Sequence, residues 1–82
     1  MNPFTAQYIA EYLDPDAVLH DNPVRDEADA ELVARELFAS FTGNDSLEDV
    51  GTVEQLATAL LTHYTAEALA DCECDACRKR RA

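Results

Sequence analysis

Residues 52–71 read TVEQLATALLTHYTAEALAD, and this stretch decides the fold class. Thr52 and Gln55 open it as a capping box, in which the Thr hydroxyl and the Gln side chain each satisfy one free amide of a new helix. Behind them Val53, Leu56, Ala57, Leu60, Leu61, Tyr64 and Ala68 recur at spacings of three and four, the period of a helix face turned towards a core. The spacing predicts a helix over 52–71.

The same logic extends towards the N-terminus. Asn2-Pro3, Asp14-Pro15 and Asn22-Pro23 each pair a side chain that can accept from free helix amides with a proline suited to the first helical position. The first pair predicts a helix over 3–13, with Phe4, Tyr8, Tyr12, Ile9 and Leu13 towards the core. The second predicts a short turn carrying Val18 and Leu19 that ends near Asp21. The third opens a helix over 23–42, with Ala30, Val33, Ala34, Leu37, Phe38 and Phe41 on one face and Gly43 as its C-terminal cap. Ser46 and Asp49 suit one more short turn, and no strand-like alternation occurs. The expected architecture is all-α: a small bundle of three main helices, about 3–13, 23–42 and 52–71, plus one or two short helical turns.

With 82 residues the chain is one small domain by length. Asp and Glu number 17 against six Lys and Arg, a net charge of -11. The imbalance is uneven: residues 1–77 carry -15 and residues 78–82 carry +4. The chain therefore divides into an acidic helical domain over 1–71 and a Cys-rich basic tail over 72–82. Such acidity argues against direct nucleic-acid binding and against an anionic membrane surface. No apolar run reaches the ~18 residues of a membrane span, and no charged-then-apolar opening marks a signal peptide, so a cytoplasmic location is expected.

The tail reads CECDACRKRRA. Thiols at Cys72, Cys74 and Cys77 can converge on one soft metal, and zinc, which takes thiolate sulfur at about 2.3 Å and wants four ligands, is the expected ion. His63 can supply the fourth ligand only if its helix stops near Thr65; His20, Asp71, Asp75, water and a second chain are equally open. Plain thiols and a Cys74–Cys77 disulfide are the competing readings. The apolar stripes end before Cys72, so chelation is expected to loosen the tail and leave the helices folded. Arg78, Lys79, Arg80 and Arg81 complement the negative pole of a preceding helix and offset the acidity of the body.

Two surfaces remain. Ala59, Thr62, His63, Ala66 and Ala70 recur at helical spacing without a fixed charge, a face that could seat another helix from a larger protein partner or from a second copy in a dimer. Asp26, Glu27, Asp29, Glu31 and Glu36 form an acidic row. Its first members suit the positive end of a helix dipole, and the whole row could also imitate phosphates. No Ser-His-Asp arrangement with supporting glycines, phosphate-cradling loop or H-E-x-x-H is present, so no enzyme is expected. The expected function is a non-enzymatic protein-binding module of the accessory or phage-type regulator kind. The alternatives are a nucleic-acid-mimicking inhibitor and a metal-ordered basic tail that contacts nucleic acid.

Overall fold

The computed structural model describes residues 2–81; Met1 and Ala82, the outer ends of the expected 1–71 and 72–82 units, lie outside it, as do the side chains of Asp45 and Arg81. Among the described residues the fold is all-helical, with no strand. The elements are α1 (Ala6–Tyr8, continued by a π-helical turn Ile9–Leu13), α2 (Val18–Asp21), α3 (Glu27–Ser40), α4 (Val53–His63) and α5 (Asp75–Arg81), with 3-10 turns at Gly43–Asp45 and Leu47–Asp49. No helix among the described residues is long and apolar enough to cross a membrane.

The capping box of α4 forms as the sequence predicts: the Gln55 amide donates to Thr52 Oγ1 at 3.1 Å and the Thr52 amide to Gln55 Oε1 at 2.9 Å. Leu56, Ala57, Ala59 and Leu60 are its buried face. The helix ends at His63, well short of residue 71, although the Ala-rich run beyond it favours helix by propensity alone. A tertiary contact wins. The Val24 amide donates to the Tyr64 carbonyl at 3.0 Å, in an isolated parallel bridge between Val24 and Thr65. Thr65 Oγ1 then accepts from the Ala68 amide at 3.0 Å and restarts the chain as a turn.

That pairing also shortens α3 at its start. Pro23, Val24 and Arg25 run outside the helix, and Asp26 rather than Asn22 takes the cap, accepting from the Asp29 amide at 2.8 Å. Asp29 accepts in return from the Arg25 amide at 2.9 Å. Ala30 and Ala34 are wholly buried, and side chains this small let α3 lie close against α4. Val33, Leu37, Phe38 and Phe41 flank them half-buried.

The N-terminal segment departs from its predicted stripe. Asn2 does not cap a helix at Pro3; its amide group donates to the Gln55 carbonyl at 2.7 Å and ties the chain end to α4. Thr5 caps α1 instead. The helix then widens, with the Asp14 amide donating to the Ile9 carbonyl five residues back at 2.7 Å. A π-turn of this kind shifts the register of the helix face, so Phe4, Ile9 and Leu13 are buried while Tyr12, expected in the core, is 59% exposed. The core continues from Phe4, Leu56 and Leu60 to Leu19, Tyr64 and Cys77, where α2 packs against α5.

Candidate metal centre

Four side chains converge at the α2–α5 contact. His20 projects from α2, Cys72 from the turn after Leu69, Cys74 from the residue just before α5, and Cys77 from the first turn of α5. The Cys72 amide donates to the Leu69 carbonyl at 3.0 Å and the Arg78 amide to the Cys74 carbonyl at 2.9 Å, so both cysteine backbones are fixed by local turns. The sulfurs lie 3.4 Å (Cys72), 3.3 Å (Cys74) and 3.5 Å (Cys77) from His20 Nδ1. All four donor atoms fall within 4.8 Å of one another.

One ring nitrogen has a single proton or a single lone pair, so it cannot hydrogen-bond three sulfurs at once. A tetrahedral zinc with Zn–S near 2.3 Å and Zn–N near 2.0–2.1 Å sets sulfur and nitrogen about 3.6 Å apart, close to the separations found here. The donor set of three thiols and an imidazole suits the same ion. His20, Cys72, Cys74 and Cys77 thus form a plausible zinc site, in which each residue offers one ligand atom, as many as a tetrahedral zinc takes. The three cysteines carry thiols rather than a disulfide.

The surroundings prepare the ligands unequally. The Cys77 backbone N–H donates to Cys74 sulfur, the main reason the Cys74 thiol is lowered to about 6. Burial pushes the Cys77 thiol up; its residue is wholly buried. Arg80 Nε donates to the His20 carbonyl at 3.2 Å, and its Nη2 lies 3.8 Å from Cys77 Sγ, bringing a cation beside the sulfur cluster. On the far side His20 meets the Tyr64 ring edge-on, with centroids 5.4 Å apart. Asp14 Oδ2 lies 3.7 Å from His20 Nε2. Burial raises the Asp14 carboxyl above its ordinary range, opposed by the Leu19 amide and the charge of His20.

Of the open choices for the fourth ligand, the structure brings His20 to the cysteines. Although α4 does stop short of Thr65, His63 is exposed on its last turn and is not in the cluster; Asp71 and Asp75 are exposed as well. Nothing in the sequence singles out Asp14, which reads locally as a helix cap, or Arg80, which reads as one of four tail charges. The cluster is not confined to the tail, because α2 contributes His20 to it.

The uncharged face over Ala59, Thr62, His63, Ala66 and Ala70 is not one surface. Ala59 is buried in the core, Thr62 donates its hydroxyl to the Thr58 carbonyl at 2.9 Å, and Ala66 and Ala70 lie in the turn beyond the end of α4. In the acidic row, Asp26 and Asp29 accept the capping hydrogen bonds of α3, and Glu31 pairs with Arg35. Glu27 and Glu36 are exposed.

Set against known proteins, the chain matches no family model, no curated protein and no solved structure.

Proposed function

We propose that this chain is a zinc-structured, non-enzymatic helical module that works by binding a larger protein. The observation that carries the reading is the ligand set itself. His20, Cys72, Cys74 and Cys77 can supply all four ligands of a tetrahedral ion, and a closed set of protein ligands belongs to structural zinc, whereas catalytic zinc keeps a position for water or substrate. Support for the binding part comes from a groove of about 380 Å³ between α1 and the segment after α3, lined by Tyr8, Tyr12, Leu13, Phe41 and Leu47. Aromatic side chains of this kind are the usual anchors of protein interfaces.

The test has two arms. Cobalt-loaded protein should give the spectrum of a four-coordinate thiolate site that added azide or cyanide leaves unchanged; a spectrum that responds to them reveals an open position and overturns the structural role. A photo-crosslinker at Tyr12 should yield a discrete adduct that Tyr8→Glu abolishes, with helicity unchanged. If crosslinking at Tyr12 gives no more adduct than at exposed Glu48, the binding part fails.

A second reading has one observation in its favour: Arg78 and Lys79 are exposed on a helix that Cys74 and Cys77 anchor. In that reading α5 contacts nucleic-acid phosphates while the acidic body stays away. Its signature is nucleic-acid binding that needs zinc and weakens steeply with salt.

A further inference from the structure

Asp14 is a buried carboxylate whose role the helix caps explain only by half. Its side chain is 1% exposed. Oδ1 accepts from the Leu19 amide at 2.9 Å and so braces α2. Oδ2 is buried without a hydrogen-bond partner among the described residues, and the polar group facing it is His20 Nε2, 3.7 Å away. An unsatisfied buried carboxylate oxygen is costly, so its position calls for a reason.

The reason lies on the other side of the imidazole ring. His20 turns Nδ1 towards the three sulfurs. A neutral imidazole that gives its Nδ1 lone pair to a metal must carry its proton on Nε2, and that proton then points at Asp14 Oδ2. The present gap exceeds a hydrogen bond by about 0.5 Å, a distance that a small rotation of the ring closes.

We propose that Asp14 is the positioning residue of the metal centre: it holds His20 in the Nε2–H tautomer with Nδ1 aimed at the ion, completing a carboxylate–histidine–zinc relay. The inference rests on the reading of His20, Cys72, Cys74 and Cys77 as a zinc site. Outer partners of this kind fix ring orientation and raise ligand basicity, and their loss typically costs 10–100-fold in metal affinity.

Asp14→Asn is the informative substitution, because it keeps an Oδ1 acceptor for the Leu19 amide and sets an NH2 donor against the Nε2 proton. Zinc affinity is measured by competition with a chromophoric chelator in the unmodified protein, in Asp14→Asn, in His20→Cys and in the double variant. The expected result is one zinc per chain in the unmodified protein, a 10–100-fold loss in Asp14→Asn, and no loss from the same change when position 20 is Cys and there is no ring to orient. An affinity unchanged within about threefold in Asp14→Asn overturns the proposal and leaves the zinc site standing. An equal loss in both backgrounds also overturns it, since the effect then runs through the Leu19 brace. No zinc in the unmodified protein removes the site and the proposal together. A measurement that needs no variant runs alongside: in zinc-loaded, 15N-labelled protein the His20 Nε2–H should exchange with solvent far more slowly than the ring N–H of exposed His63. Equal exchange rates count against the relay even if Asp14→Asn does not fold.

Discussion

At the scale of single residues, two backbone positions have tight steric requirements. Gly51 sits where the N-terminal segment crosses the start of α4. A Cβ there would meet Pro3 Cγ and Phe4 Cε2 at 2.8 Å and Gln55 Oε1 at 2.5 Å. Gln55 can swing away only by giving up the capping box, and Phe4 is held in the core. Gly51→Ala should therefore cost about 1–3 kcal/mol, as overpacking does, read from the midpoint of urea unfolding. Ala17 shows the opposite mismatch, since it adopts φ 56° immediately before α2, a conformation that costs a residue with a Cβ about 1–2 kcal/mol. Ala17→Gly should raise stability by a few tenths to about 1 kcal/mol, the relief of strain less the greater freedom glycine has when unfolded. A fall in the unfolding midpoint would show that the Ala17 methyl makes a contact worth more than the strain.

At the scale of elements, what could be read from the sequence depends on how local the deciding interaction is. Thr52 and Gln55 lie within one turn of each other, so the start of α4 is legible; Thr52→Ala should destabilise the protein by about 0.5–2 kcal/mol, and Thr52→Ser by less, in thermal or urea unfolding. The end of α4 is set by Val24, whose amide takes the Tyr64 carbonyl from a distant part of the chain, and no period or cap near residue 63 signals that contact. The same distance hid the fourth ligand. The three cysteines announce a metal by their own spacing, but His20 reaches them only because α2 and α5 pack together. Asp14 is hidden differently: Asp14-Pro15 reads as a cap with proline at the first helical position, whereas α2 starts at Val18 after Ala17, and Asp14 reaches the Leu19 amide with one oxygen while the other points into tertiary structure. Tyr12 was misplaced because a π-turn leaves no mark on an apolar repeat that assumes an unbroken α-helix.

At the scale of the whole molecule, charge and metal act on different parts of the stability. The chain carries a net charge of -11 within 38 by 22 by 22 Å, so repulsion among its carboxylates opposes folding. Adding salt shortens the screening length from about 30 Å at 0.01 M to about 8 Å at 0.15 M, and the melting temperature of the zinc-loaded protein should rise over that interval. Metal removal should act locally first. α5 has seven residues, too few to hold as an isolated helix, and Cys77 is its one fully buried side chain among those described. α2 has four residues and contributes Leu19 to the core. α3 and α4 share a larger apolar contact that includes Ala30, Ala34, Leu56 and Leu60 and no metal ligand. Chelation should therefore release backbone protection in α2, in α5 and at the Val24–Tyr64 pairing, while amides of α3 and α4 exchange last. Free zinc at 1,000 times its dissociation constant contributes about 4 kcal/mol by mass action, a large share of the ~4–12 kcal/mol expected for a domain of this length. The melting temperature should accordingly climb with the logarithm of free zinc. A chelated protein whose hydrogen exchange and melting match those of the loaded form would show that the α2–α5 contact holds by packing alone, and that the four ligands converge without tying the fold together.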